Sequence, residues 1–348
     1  MSKMMKALIV KKDGTLVIAE VSKPEYNSKQ ALVKMLASGM CGTDIKLIHK
    51  CFKGFPDSAY PFILGHEGVG EVVEVGAEVQ GLKIGDKVLL PFVDGAESEI
   101  FGKLGAGYGA MSEYAIVNDY SAYDEDTAPE VAIAQTVLPN DLDPTEAVMF
   151  VTFREVLSSI RFFEVKPEDS IVVFGCGPVG QTFVKFLSLL GGRDIIAVDI
   201  VDDKLKIAAE NGATKSINST KNNLTNIIRE DYPDGVKYVL DAVGLPIVTN
   251  QAMEILADRG KVLCYGVLEK EEITIDFSKA SYNWSFVCQQ MPRKIEEYEA
   301  HEQVLKWVRS GDIVMKDYIS DYFDFDNVVD AYNKLLDHKI IKKGIIKF

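Results

Sequence analysis

Apolar runs of strand length open the chain. Lys6 to Val10, Leu16 to Val21 and Ala31 to Leu36 are separated by the turn DGT and by the polar stretch Lys23 to Gln30. Val69 to Val75, Lys87 to Leu90 and Tyr114 to Val117 repeat the pattern, with the glycine-bearing turns GLKIGD and GAGYGAM among them. Short strands punctuated in this way predict a β-rich, barrel-like domain rather than alternating strand and helix. From Pro144 the apolar spacing turns helical, and between Ser170 and Leu268 strand and helix alternate. Strands are predicted at Ile171 to Phe174, Ile195 to Val198, Tyr238 to Asp241 and Lys261 to Tyr265, with helices such as Lys204 to Asn211 and Leu224 to Glu230 between them. That alternation predicts an α/β domain built on a parallel, doubly wound sheet.

Past Ile273 the pattern is mixed. Helices are expected at Ile295 to Ser310 and Phe325 to Asp337, and HKIIKKGIIKF alternates basic and apolar residues as a terminal strand with a charged outer face would. These segments are too short to bury a core of their own. They are therefore expected to pack back on the N-terminal domain, so that residues 1–150 and 285–348 make one domain and residues 151–284 the other. The stretch Glu272 to Phe277 reads as a strand that pairs with its copy across a two-fold axis, which implies a homo-oligomer.

The sharpest local signal is IVVFGCGPVG, Ile171 to Gly180. A buried strand runs into Gly175, Gly177 and Gly180 at the spacing GxGxxG, and Val179, Phe183, Phe186, Leu187 and Leu190 then recur at helical intervals. In such a turn the first glycine bends the chain, the second lets the backbone approach a pyrophosphate, and the third lets helix and strand pack closely. Free N–H groups at the helix start, which opens with Pro178 (itself without an N–H) and Val179, favour an anion. Asp199, at the end of the next strand, is placed to accept hydrogen bonds from ribose hydroxyls. The expected ligand is a dinucleotide, and NAD in preference to NADP, because a carboxylate there repels a 2′-phosphate.

Composition narrows the field. The 348 residues, 47% apolar, are enough for two cores, and no apolar run reaches the roughly 20 residues that span a bilayer. The segment MSKMMKALIV lacks the long apolar core of a signal peptide, so the expectation is a cytoplasmic protein. A net charge of -14 argues against nucleic acid or an anionic membrane as partner. Five cysteines, Cys41, Cys51, Cys176, Cys264 and Cys288, lie far apart without a CxxC pair and form no disulfide framework.

Of these only Cys41, in GMCGTD, stands among polar residues, while His66 and Glu67 lie in LGHEGVGEVVEVG. Thiolate, imidazole and carboxylate form a borderline-soft set suited to zinc, and three protein ligands with one open position is the catalytic arrangement. Asp44 is placed to accept the other ring N–H of His66, and Thr43 to pass a proton by its hydroxyl. The plainer alternative is that a single cysteine and a single histidine are buried core residues, as they commonly are.

Taken together, GMCGTD, GHEGVGEVVEVG, GLKIGDKVLL and VVFGCGPVG with Asp199 resemble the zinc-containing medium-chain dehydrogenase/reductase superfamily, in the family order and over nearly the whole chain. The resemblance implies a Rossmann domain beside a GroES-like catalytic domain, with the active site in the cleft between them. It further implies an NAD-dependent, zinc-assisted oxidoreductase that interconverts a secondary alcohol and its ketone, the substrate being a polyol, sugar or sugar derivative. Cys41, His66 and Glu67 match the catalytic zinc positions of the polyol (sorbitol) dehydrogenase branch, Thr43 the proton-relaying hydroxyl and Asp44 the acid behind the histidine. Gly175, Gly177, Pro178, Val179, Gly180 and Asp199 match the cofactor positions, and Lys204 stands where a base often flanks the adenosine ribose.

Three departures accompany the resemblance. Pro91 to Met111 holds no cysteine, so the structural zinc of most relatives is not expected. Val151 falls near the position where relatives place a Cys or Glu facing the metal, with Glu155 one turn on, and Lys46 stands where alcohol dehydrogenases often carry a relay histidine.

Overall fold

The structure, a computed structural model, describes residues 4–268 and 272–348. The chain divides into two compact units, Met1–Thr152 with Lys294–Phe348, and Phe153–Arg293.

In the first unit, β1 (Met4–Val10) forms a hairpin with β2 (Leu16–Ser22). Successive side chains of a strand point to opposite faces, and β1 accordingly feeds two separate clusters: Met5, Ala7 and Ile9 join one, Leu8 and Val10 the other. The long strand β3 (Gln30–Gly39) runs straight into α1 (Gly42–Ile48). After β4 (Phe62–Ile63), which pairs with β1, the chain enters β5 (Glu67–Val75), antiparallel to β3 with Glu67 opposite Gly39. That register brings Cys41, two residues beyond the end of β3, beside His66 and Glu67 at the start of β5. The short strands β6 (Lys87–Leu89), β7 (Glu97–Ser98), β8 (Gly102–Lys103) and β9 (Gly105–Ala106) follow, with β7 and β8 forming a hairpin inside the cysteine-free stretch. Then come β10 (Tyr114–Asn118) against β3, β11 (Val137–Leu138) against β6, and the single-turn helix α2 (Pro144–Ala147).

Helix α3 (Met149–Phe163) carries the chain into the second unit. There β12 (Ser170–Phe174), α4 (Pro178–Leu189), β13 (Asp194–Asp199), α5 (Asp202–Glu210), β14 (Lys215–Asn218), α6 (Leu224–Asp231), β15 (Val236–Asp241), α7 (Pro246–Ile255), β16 (Leu256–Cys264) and β17 (Trp284–Cys288) build an all-parallel sheet. Its order is β14-β13-β12-β15-β16-β17, the doubly wound arrangement whose direction reverses between β12 and β15. Ile171–Phe174 and Ile195–Val198 are buried throughout, as strands covered on both faces must be.

Two expectations fail here. The division falls after Arg293, not at 284/285, because β17 pairs with β16 in register from Gly260 opposite Trp284 to Cys264 opposite Cys288. Glu272 to Phe277 is not a strand: Asn250 donates to Thr274 O (2.9 Å) and accepts from Asp276 N (3.0 Å), and Asp276 caps a 3-10 turn at Phe277–Lys279. The edge on which two-fold pairing was expected is therefore missing.

The chain then returns to the first unit through α8 (Lys294–Ser310), β18 (Ile319–Asp324), α9 (Val328–Leu336) and β19 (Lys343–Lys347). β19 is no edge: it lies between β3 and β18, with Ile345 opposite Gly39. Both faces are covered, Ile345 and Ile346 are fully buried, and Lys343 is buried with them, so the expected charged outer face does not form.

The glycine turn of the second unit is held by contact as well as conformation. Gly175 has φ +89°, and a Cβ on Gly180 would stand 1.7 Å from the Gly175 carbonyl oxygen. Gly180→Ala is expected to lower stability by about 3 kcal/mol through overpacking, whereas Gly177→Ala, whose added methyl meets open space, should be nearly silent in thermal unfolding. Equal losses for the two variants would refute this account of the turn.

Candidate metal centre and dinucleotide turn

Cys41 precedes the first turn of α1, His66 directly precedes β5, and Glu67 opens it. Their ligand atoms all lie within 4.8 Å of one another, the one such group of three or more among the described residues. Asp44, on the first turn of α1 and fully buried, ties the group together. Its Oδ1 lies 3.2 Å from His66 Nδ1, while its Oδ2 accepts from the Cys41 backbone N–H (3.0 Å) and from the Tyr332 hydroxyl (2.8 Å). Holding Nδ1 in this way fixes the ring's orientation and directs its other nitrogen to the Cys41 side. Burial works against a charged imidazole, but the Asp44 carboxylate and Cys41 outweigh it and hold the His66 pKa well above its ordinary value. Burial and the same carboxylate push the Tyr332 phenol up, so it stays a donor. Thr43 is half-buried on the first turn of α1, next to Asp44.

Glu67 is not a simple surface carboxylate. Both its oxygens accept from Lys343 Nζ, each at 2.7 Å, and both side chains are buried. The pair bridges β5 and β19 across β3, and the bridge needs Gly39, whose added Cβ would stand 2.3 Å from Glu67 Oε2. A carboxylate has about four lone-pair sites, so two bonds to Lys343 leave capacity for a cation. The donor set fits zinc: one sulfur, one imidazole and one carboxylate. With a thiolate at Cys41, the divalent charge also balances the carboxylates of Glu67 and Asp44 once Lys343 is counted.

Val151 is a buried aliphatic residue on α3 and offers no ligand atom; Glu155 is half-buried further along the same helix. Lys343, Tyr332 and Gly39 were missed by sequence reasoning. The doublet Ile345–Ile346 carried the signal for Lys343, since two adjacent buried positions leave no outer face for the lysine before them. Nothing local marked Tyr332, which lies 288 residues from Asp44.

In the second unit, Gly177 caps α4, Pro178 and Val179 form its first turn, and the space beside Gly177 is open. Asp199 ends β13 and faces the same turn. Its Oδ2 accepts from Cys176 N (2.6 Å) and its Oδ1 from Ile200 N (2.7 Å) and Val201 N (2.9 Å). Three backbone donors thus aim the carboxylate and leave lone pairs for a further partner. Lys204 is half-buried on α5, and its carbonyl accepts from Gln181 of α4 at 2.7 Å.

Two family descriptions match the chain: the alcohol dehydrogenase GroES-like domain over residues 27–124 and the zinc-binding dehydrogenase over residues 178–300. L-threonine 3-dehydrogenase of Shewanella putrefaciens is 26% identical over 299 residues, covering 80% of this chain and 82% of its own. L-threonine 3-dehydrogenase of Cutibacterium acnes is 27% identical over 318 residues, covering 88% and 89%. A crystal structure of an alcohol dehydrogenase zinc-binding domain protein from Burkholderia ambifaria superposes with a TM-score of 0.83 over 99% of both chains at 20% identity, which establishes the shared fold. A GroES-like unit with Cys41, His66 and Glu67 gathered at one corner, joined to a doubly wound unit with a glycine turn, defines a class of two-domain dehydrogenases. The chain belongs to the zinc-type medium-chain dehydrogenase/reductase superfamily. It is accordingly an oxidoreductase of the alcohol dehydrogenase kind.

The buried pair makes a stability prediction. Lys343→Met leaves Glu67 charged and unpaired, and is expected to destabilise the metal-free protein by about 3–5 kcal/mol. Adding Glu67→Gln should restore most of that loss. Chemical denaturation of the two single variants and the double one measures the coupling, and strictly additive losses would rule it out.

Proposed function

We propose that the protein interconverts a secondary alcohol and its ketone on a polyol, sugar or sugar derivative, using NAD and one zinc ion per chain. The observation that carries this reading is the convergence of Cys41, His66 and Glu67 within 4.8 Å, with Asp44 behind the histidine. The relatives' name, L-threonine 3-dehydrogenase, supports a secondary hydroxyl in the substrate and makes L-threonine a necessary member of any substrate panel. Cys41, His66 and Glu67 would hold the zinc. When bound, zinc would supply a Lewis acid for the substrate oxygen and NAD a hydride acceptor.

The chain's own residues do the rest. Asp44 holds His66 in one orientation, and Tyr332 holds Asp44. Lys343 pairs with the buried Glu67 carboxylate and holds it in place. The Thr43 hydroxyl takes the alcohol proton and passes it outward. In the second unit the N-terminal turn of α4 receives the pyrophosphate, Asp199 the ribose hydroxyls, and Lys204 flanks them.

Elemental analysis should give about one zinc per chain, since no second cluster of ligands is found among the described residues and no cysteine lies in the 91–111 stretch. Cys41→Ser and His66→Ala should lose both metal and alcohol oxidation while NADH binding stays within a few fold. Thr43→Val should keep the metal and lower kcat by about 10²-fold or more, with Thr43→Ser largely active. Full activity of Cys41→Ser after chelation would overturn the zinc reading in favour of a metal-free reductase, which the aliphatic Val151 and the Lys343 grip on Glu67 would then explain. Asp199→Ser should narrow the preference for NAD, and equal kcat/KM for NAD and NADP in the unaltered protein would refute the assignment of Asp199.

A further inference from the structure

Two cysteines that the proposed chemistry does not use face each other in the second unit. β16 and β17 are parallel neighbours at the end of the sheet, and their last residues, Cys264 and Cys288, are register partners. Register partners on adjacent strands put their side chains on the same face, so the two thiols are neighbours at the ends of β16 and β17. Adjacent strands run about 4.8 Å apart, inside the roughly 4.4–6.8 Å Cα separation that a disulfide spans.

The two thiols differ in the way a redox couple needs. Cys288 is exposed and Cys264 is fully buried. Cys264 Sγ also receives a hydrogen bond from Gln290 Nε2 at 3.6 Å, and the same amide donates to Gly266 O at 2.7 Å. Burial raises the Cys264 pKa, and Cys288 and Asp241 raise it further, while Gln290 works in the opposite direction. Cys264 is thus shielded from oxidants in solvent, while Cys288 is open to them. By contrast, Cys176 is buried in the glycine turn, where burial and Asp199 push its pKa up to about 12.

We propose that Cys288 and Cys264 form a reversible thiol couple that closes to a disulfide with a hydroperoxide as oxidant. The Cys288 thiolate attacks one peroxide oxygen; the O–O bond breaks, hydroxide leaves and takes up a proton as water, and Cys288 becomes a sulfenic acid. The Cys264 sulfur then attacks the Cys288 sulfur; the S–S bond forms, the S–O bond breaks, and the second water leaves with the Cys264 proton. Two thiols are oxidised by two electrons and one peroxide is reduced to two waters. A dithiol reductant reverses the change by exchange. The bond would join β16 to β17 at the carboxyl ends of the strands, the edge on which doubly wound sheets take their ligands. The inference stands without the zinc reading, since neither cysteine belongs to that centre.

The test is stoichiometric treatment of the reduced protein with hydrogen peroxide, followed by alkylation in denaturant, intact mass and peptide mapping. The expected result is loss of two titratable thiols from the five in the chain, a mass lower by two hydrogen atoms, one linked pair of peptides holding Cys264 and Cys288, and full reversal by dithiothreitol. Cys288→Ser, an exposed and conservative change, should keep Cys264 titratable and form no link. Loss of the same two hydrogens in Cys288→Ser would overturn the proposal. So would a Cys288 driven to sulfinic acid while Cys264 stays free.

Discussion

The first unit is organised around a buried ion pair that crosses a strand. Glu67 and Lys343 lie on β5 and β19, on either side of β3, and meet over the one residue of β3 that has no side chain to obstruct them. A charge buried alone costs several kcal/mol, so neither residue can take its place without the other. The pair therefore fixes the registers of three strands together. The same registers deliver Cys41 to His66, and α9 completes the set by bringing Tyr332 to Asp44. Lys343 and Tyr332 have as much to do with the geometry of the centre as the residues that would touch a metal.

Electrostatics in the two units follow one design. Asp44 and Asp199 each sit where a strand or turn gives way to a helix, and each is aimed by backbone N–H groups: Cys41 N for the first, and Cys176, Ile200 and Val201 N for the second. A carboxylate held by several donors is fixed in direction. In one unit the carboxylate also meets an imidazole; in the other its partners are all backbone N–H groups.

Much of this was legible in the amino-acid sequence, because the signals were local. The glycine spacing with Asp199 after it, the alternation of strand and helix, and the triplet of Cys41, His66 and Glu67 are each written within a few tens of residues. What escaped was set by pairing. Trp284–Cys288 reads as an ordinary loop border until β16 lies beside it, and Lys343 reads as a surface lysine until β3 and β18 enclose it. Glu272 to Phe277 shows the opposite error: its apolar alternation suits a strand, but the Asn250 amide satisfies its backbone and removes the need for a partner.

The discontinuity of the first unit also sets an order of assembly on the ribosome. Residues 153–293 are contiguous, and domains fold as units while the chain emerges, so the doubly wound unit can form while β18, α9 and β19 are still unmade. The GroES-like unit must wait with the Glu67 carboxylate uncompensated and β3 lacking a neighbour until residue 343 is available. The Cys41, His66 and Glu67 group is thus a late product of synthesis, and a chain that stops short of β19 carries an exposed strand edge.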